Sequence, residues 1–468
     1  MSVAKKIAVL DIGKTNAKVV VLDCATGTEI AERRVPNRVL TGPPYPHYDI
    51  EALWSFALEA LAAFSVELGF DAISITTHGA SAVLLDASGD LAMPVLDYEH
   101  IYPEDIQKAY SDLRPPFSET FSPALSGGLN VGAQIHYQKA VFPEDFARVR
   151  AILTYPQYWA FRLTGVLANE VTSLGCHTDL WRPRDGDYSS LVDALDLRDL
   201  MAPMRSAFDE LGPLLPGIVK RLGLEKTVPV YCGIHDSNAS LLPHLIGREP
   251  PFAVVSTGTW VINFAVGGDL DHLDPRRDAL ANVDAYGRAV PSSRFMGGRE
   301  FEILTAELGE LDQAAAMDAM PVAIERQIML LPNLTAGSGP FPGGQRRWIN
   351  DAGASTPQRW ATAYLYLALM TETCLELIGA KGPILVEGPF SLNSNYLAAL
   401  AALTNREVFA LAGSTGTSQG AALLAGSGPT GGKPIDIQPL KQAGLAEYRA
   451  IWRQRTIDIT DAQEPSRY

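Results

Sequence analysis

Two short turns in this sequence carry side chains suited to handling phosphate, and a third carries a carboxylate placed to move a proton. Asp11-Ile-Gly-Lys-Thr-Asn16 sets a carboxylate, a glycine, an ammonium and a hydroxyl between two apolar runs. Ser256-Thr-Gly-Thr259 repeats the device between the apolar runs 253–255 and 261–266. Glycine lets backbone approach a ligand closely, and successive turn N–H groups form a concavity suited to an anion. Two such turns facing each other across a cleft would hold a polyphosphate from both sides. Gly233-Ile-His-Asp-Ser-Asn-Ala239 ends a short strand and opens a helix. Its Asp236 is either a cap of that helix or a carboxylate at the mouth of a cleft, with His235 as its hydrogen-bonding partner. Transfer of a phosphoryl group to a hydroxyl needs such a carboxylate within reach of the acceptor. Asp11 is likewise either a turn-former or a residue close to metal and phosphate. His78 follows Thr76-Thr77 at a strand end; a lone histidine is commonly structural, yet strand ends facing a cleft are where ligand contacts gather.

The elements that must position these residues alternate twice along the chain. In the first half, a hairpin over 7–22 precedes a helix capped by Asp49, with Leu53, Phe56, Ala60, Leu61 and Phe64 at helical spacing. Strands are expected at 72–77 and 82–86, a polar Pro-rich loop at 101–120, a helix at 144–165 and a strand at 229–233. The second half repeats the rhythm: hairpin 253–266, helix 300–309, loop 333–344, long helix 359–379, strand 383–387, helix 396–403, strand 407–410 and helix 418–424. This pattern predicts two α/β domains with mixed sheets and a boundary near 240–252.

Two tempting motifs fail. Gly13-Lys14-Thr15 lacks the earlier glycine of a Walker A loop, since position 8 is Ala, and it leads into a strand rather than a helix. Gly416-Thr-Ser-Gln-Gly420 has the spacing of a serine-hydrolase elbow, but the last histidine is His272, so Ser418 has no downstream partner. A glycine-rich strand-to-helix turn packed against a ligand or helix is the better reading. The balance of 38 basic against 53 acidic residues, net −15, argues against a nucleic-acid surface. Four scattered cysteines form neither a disulfide framework nor a zinc site, which suits a reducing cytoplasm. No apolar run approaches the roughly 18 residues of a membrane span, and the N-terminal apolar run stops at Asp11, unlike a signal peptide.

Over about residues 7–425 these features resemble the FGGY family of carbohydrate kinases, built on the actin-like ATPase (ribonuclease H-like) fold. Asp11–Asn16 is similar to the family's first phosphate motif, Gly233-Ile-His-Asp236 to its Gly-x-x-Asp catalytic motif, and Ser256–Thr259 to its second phosphate motif. Leu331-Pro-Asn-Leu334 through Gly343 resembles the domain-II loop. Ile384-Leu-Val-Glu-Gly-Pro-Phe-Ser-Leu-Asn393 with Gly413-Ser-Thr-Gly416 resembles the adenosine-binding segment. The resemblance implies an α/β protein of two such domains with a cleft between them: 1–245 for the sugar and base, 246–440 for the nucleotide, and a tail at 441–468 without an assigned role.

It further implies Asp236 as proton acceptor, and Asp11, Gly13, Lys14, Thr15, Asn16, Thr257, Gly258, Thr259, Gly388, Asn393 and Gly413 around ATP. His78, Gly79, Glu99, His235, Asp236 and Arg294 would meet the sugar, and Mg²⁺ would sit near Asp11, through water, and Asp236. Within the family, His235-Asp236 and Ser-x-Gly-Thr-Trp260 are closest to the rhamnulokinase and fuculokinase branch. That branch phosphorylates 6-deoxy-ketohexoses at the primary hydroxyl, so L-rhamnulose is the expected substrate, with L-fuculose or another ketose or polyol as the alternative, and rhamnose metabolism the expected setting. Four positions depart: Lys18 stands where many members have Arg, Asp97-Tyr-Glu-His100 replaces a Trp-Asp-Arg segment, Glu387-Gly-Pro-Phe390 replaces a run of glycines, and Arg294-Phe-Met-Gly297 replaces Asn-Ile-Met-Gly. The first and third bear on nucleotide choice, the second and fourth on sugar identity. The expected partner is a small sugar in the cytoplasm, with no nucleic acid or membrane, and a homodimer is the assembly to test. Two other readings are a non-catalytic sugar-binding regulator, against which Asp236 argues, and a polyphosphate hydrolase, which needs no sugar site. Product analysis separates them: sugar phosphate, no turnover, or free phosphate.

Overall fold

The computed structural model describes residues 4–310, 312–411, 416–426, 428 and 434–461. The chain divides into two compact units. The first runs to residue 248 and adds 281–289 and the described part of 415–430; the second holds the rest.

In the first unit, β1 (Lys6–Ile12), β2 (Asn16–Asp23) and β3 (Thr28–Pro36) form an antiparallel meander. β1 is buried from Ile7 to Ile12 because both faces are covered, whereas β3 is an exposed edge whose Glu32, Arg33 and Arg34 discourage further pairing. Helix α1 (Ile50–Glu67) is capped as expected, with Asp49 accepting from the Ala52 amide. Strand β4 (Ala72–Thr77) lies parallel to β1, pairing Asp11 with Thr76. Helix α2 (Tyr155–Thr164) is followed by β5 (Glu210–Pro213), β6 (Pro229–Tyr231), β7 (Ile234–His235) and α3 (Asp236–Leu245). The sheet order is β5-β6-β4-β1-β2-β3, and β7 pairs with the last part of β4, setting His235 opposite Thr77. The carboxyl ends of β1, β4 and β7 therefore lie side by side, the place where open α/β sheets bind ligands.

Two expectations give way here. The Pro-rich stretch 101–120 contains a helix, Glu104–Leu113, started after Pro103 and anchored by buried Tyr110. The helix expected over 144–165 is split: one helical turn, Pro143–Phe146, is followed by Ala151–Thr154, which pairs antiparallel with Ala82–Leu85, and the longer helix begins at Tyr155.

The second unit contains β8 (Phe252–Thr257), β9 (Val261–Val266), β10 (Ala289–Phe295), α4 (Gly297–Leu308), α5 (Gln313–Glu325), α6 (Thr356–Leu377), β11 (Ile384–Glu387), α7 (Ser394–Thr404), β12 (Val408–Leu411), β13 (Pro434–Asp436) and α8 (Leu445–Asp461). Its strands run β10-β9-β8-β11-β12-β13, with β8, β11 and β12 mutually parallel. Helix α6 starts with a capping box, Ser355 and Gln358, and is buried along most of its length.

The divisions drawn from sequence differ from these units at three places. Residues 281–289 join the first unit, where the Ala281 amide donates to the Phe121 carbonyl at 2.9 Å. The helix Thr417–Leu423 also joins it, held on Asp11 by Thr417 and Ser418. The tail is part of the second unit's core: Tyr448 and Trp452 are buried and donate to the carbonyls of Ile328 and Leu330.

Candidate active site

The first unit gathers Asp11, His78 and Asp236 at the carboxyl ends of β1, β4 and β7. Asp11 Oδ2 accepts hydrogen bonds from Thr417 and, at 3.0 Å, from Ser418, and lies 3.6 Å from Lys18 Nζ, its register partner on β2. Burial pushes the Asp11 carboxyl up, Lys18 pulls it down, and the charge of Asp236 raises it again. Asp236 opens α3; its Oδ1 accepts from the Ser237 amide at 2.6 Å and lies 3.2 Å from His235 Nε2. Desolvation also pushes Asp236 upward, yet its side chain is 29 % exposed and open to solvent.

Both neighbouring histidines are neutral at pH 7, since burial brings each down to about 4. His78 Nδ1 faces the Gly79 carbonyl at 2.8 Å. A carbonyl only accepts, so Nδ1 carries the proton and Nε2 presents a lone pair. Among the described residues neither His78 Nε2 nor His235 Nδ1 has a hydrogen-bond partner. Gly79 is required where it stands: a Cβ there would lie 2.6 Å from His235 Nε2.

The turn after β1 is closed by the Gly13 amide on the Asn16 carbonyl at 2.9 Å, and Asn37 braces it through the Gly13 and Thr15 carbonyls. Thr15 and Asn16 are exposed. Lys14 turns away to Asp97 and to Glu99, 3.5 Å from Nζ. The turn before Asp236 is framed by residues with no motif of their own. Gln157 Nε2 donates to the carbonyls of Cys232 and Gly233 at 3.0 and 3.1 Å. Thr172 Oγ1 accepts from the His235 amide at 3.0 Å and donates to Glu170, a fully buried carboxyl that desolvation raises to about 7. Thr417, Ser418, Gln157 and Thr172 were not foreseen as site residues; Ser418 drew notice only for its glycine spacing, and nothing in the sequence ties it to Asp11.

In the second unit, Gly258 and Thr259 lie exposed in the turn between β8 and β9, closed by the Gly258 amide on the Trp260 carbonyl at 2.8 Å. Thr257 is buried and structural: its hydroxyl donates to the Glu387 carbonyl and accepts from the Phe390 amide at 3.0 Å. Gly388 permits that junction, since a Cβ there would fall 1.9 Å from the Thr257 carbonyl oxygen. Asn393 caps α7 through the Tyr396 amide at 3.1 Å. Arg294 is 3.1 Å from Asp278 and stacks on Trp260, so its guanidinium is already engaged. Glu300 holds the 333–338 loop to α6, accepting from Thr335 and Tyr366 at 3.0 Å each; burial raises it to about 7. Gly413 lies outside the described residues.

Among the described residues no group of three or more His, Cys, Asp and Glu gathers as a metal cage. Asp11 and Asp236, near enough that the charge of Asp236 raises the Asp11 carboxyl, fit Mg²⁺, which takes one or two carboxylates and fills its octahedron with water and phosphate oxygens. Nor is any described helix long and apolar enough to cross a membrane.

Comparison with known proteins gives a consistent family. Residues 6–243 match the N-terminal domain of the FGGY family of carbohydrate kinases, and residues 249–433 match the carbohydrate kinase FGGY C-terminal domain. The crystal structure of a carbohydrate kinase from Novosphingobium aromaticivorans superposes with a TM-score of 0.90 at 37% identity, covering 98% of this chain and 99% of that one. L-fuculokinase of Escherichia coli K12 is 23% identical over 277 residues, 57% of each chain. Rhamnulokinase of Halalkalibacterium halodurans is 24% identical over 274 residues, 54% of each. The chain thus spans little more than half the length of the curated relatives it matches.

Proposed function

The chain belongs to the FGGY family of carbohydrate kinases, and from that premise we propose that it transfers the γ-phosphoryl group of ATP to a primary hydroxyl of a small ketose, with L-rhamnulose the leading candidate. The observation that carries this reading is Asp236, a partly exposed carboxylate at a strand end beside two neutral imidazoles. Asp236 takes the proton of the sugar hydroxyl as its oxygen attacks phosphorus in line and the bond to the β-phosphate oxygen breaks, releasing ADP. Desolvation strengthens the base by raising its proton affinity. His78 and His235 stand beside Asp236 and shape the wall against which the acceptor is oriented. The first unit binds the sugar and supplies the base, and the second binds the nucleotide. In each unit the turn N–H groups and an exposed hydroxyl, Thr15 in the first and Thr259 in the second, are the groups suited to phosphate. Asp11 and Asp236 would hold Mg²⁺, which neutralises charge on the transferring group when bound. The names of the partly matching relatives, an L-fuculokinase and a rhamnulokinase, favour a deoxy-ketohexose.

Asp236→Asn tests the base. Its kcat, followed by coupled ADP release and by detection of sugar phosphate, is expected to fall about 10²–10⁴-fold with both substrates still bound. Retention of more than half of the wild-type kcat rules Asp236 out. A screen of L-rhamnulose, L-fuculose, D-xylulose and glycerol tests the substrate. If glycerol or D-xylulose proves about tenfold or more better than both deoxy-ketohexoses, the branch is wrong while the kinase reading stands, because hydroxyl-reading sites discriminate by up to about 10⁴–10⁵-fold.

A further inference from the structure

We infer that Lys14 is a specificity-determining residue of the acceptor site rather than a phosphate ligand: with Asp97 and Glu99 it forms a wall of net negative charge that takes uncharged sugars and turns away aldonates and uronates. The inference rests on the reading of Asp236 as the base. Position 14 lies in a turn built to approach phosphate, so an ammonium there would be expected to reach for the nucleotide. The side chain goes the other way. Its Nζ contacts Asp97 Oδ1, lies 3.5 Å from Glu99 Oε2, and stands 4.6 and 5.1 Å from the ring centres of Tyr98 and Tyr48. Those two rings also flank His78, at 5.6 and 5.1 Å between centres, and Gly79 brings His235 and Asp236 against the same wall.

Three features keep Lys14 there. Two aromatic faces attract the cation. Tyr48 also reaches Asp97 Oδ1 at 3.3 Å, fixing the carboxylate that receives the ammonium. Asp97 is only 6 % exposed, so moving Lys14 to a phosphate would leave a buried carboxylate without its cation, the costly way to break an ion pair.

The charges then decide the ligand class. Within the wall Lys14 supplies one positive charge and Asp97 and Glu99 two negative ones, and the two histidines beside it supply none. A sugar carboxylate placed here meets net repulsion. Neutral hydroxyls instead find a donor in Lys14 and an acceptor in the exposed Glu99.

Steady-state kinetics of the full chain with the best ketose of the panel provide the test. Lys14→Met is expected to raise the sugar KM at least about tenfold while the ATP KM stays within about twofold. An ATP KM that rises as much as the sugar KM, or no change in either, overturns the assignment. Asp97→Asn, which frees the ammonium, serves as the second variant and also stands in if Lys14→Met does not fold. D-gluconate should then inhibit at least about fivefold more tightly than it inhibits the unmodified protein, through one fewer repulsive charge; unchanged inhibition overturns the charge argument. Asp236→Asn in parallel separates the failures: full activity there removes the base reading, whereas its loss beside an unresponsive Lys14→Met removes only the present inference.

Discussion

Two threonines two residues apart in one turn have different duties, and substitution should separate them. Thr257 spends its hydroxyl on the Glu387 carbonyl and the Phe390 amide, tying the end of β8 to the end of β11. Thr257→Val strands both buried groups and should cost about 1–3 kcal/mol of stability, read as a lower midpoint in denaturant. Thr259 is exposed at the tip, so Thr259→Val should leave stability alone and raise the ATP KM, since a hydrogen bond to a charged phosphate is worth about 1.5–3 kcal/mol. A change confined to the sugar KM would remove the second turn from phosphate binding. The pH profile belongs to the same scale. The base role proposed for Asp236 requires the ionised carboxylate, and burial lifts its pKa above the ordinary 3.8. The rate should therefore fall as pH drops through that raised value, and a profile flat down to pH 4 would contradict it.

The turn between β6 and α3 is one element held by others. Gln157 on α2 grips its carbonyls, and Thr172 receives its His235 amide because the threonine's own proton is committed to Glu170. Thr172→Val removes this acceptor and should lower kcat with little change in either KM, while Thr172→Ser, which keeps the hydroxyl, should restore it. If valine and serine behave alike, the turn holds its geometry without Thr172. Sequence foresaw both hairpins, because their apolar runs are buried on both faces and interrupted only by a polar glycine turn. It foresaw α1 because Asp49 caps a regular apolar spacing. It did not foresee the frame around Asp236, since Gln157, Glu170 and Thr172 are ordinary polar residues made special only by partners far along the chain. The same gap hid Thr417 and Ser418 from Asp11, and Lys14 from Asp97. It misread 151–154 as helix because Ala-Ile-Leu-Thr suits either state and the deciding partner, Ala82–Leu85, lies elsewhere.

At the scale of the molecule, each unit buries one carboxyl raised to about 7: Glu170 in the first and Glu300 in the second. Both start from an ordinary value of 4.5, and both are wholly buried, so desolvation dominates. The sign follows from linkage. A raised carboxyl pKa favours the folded state while the group is protonated, so its contribution is fully present below pH 4.5 and is lost as pH rises through about 7. Each loss is about 3 kcal/mol at most, from the cost of holding a charge the protein cannot solvate. The two histidines act in the opposite sense: their lowered values stabilise the fold above 6.5 and cease to do so as pH falls through about 4. Because the units have separate cores, unfolding need not be a single transition. Glu170→Gln and Glu300→Gln remove one titration each. Calorimetry between pH 5 and 8 should show each variant flattening the pH dependence of its own unit's transition by several degrees, since ~1 kcal/mol moves Tm about 2–4 °C in a domain of this size. Transitions that keep the unmodified protein's pH dependence in both variants would remove the buried carboxyls as the cause.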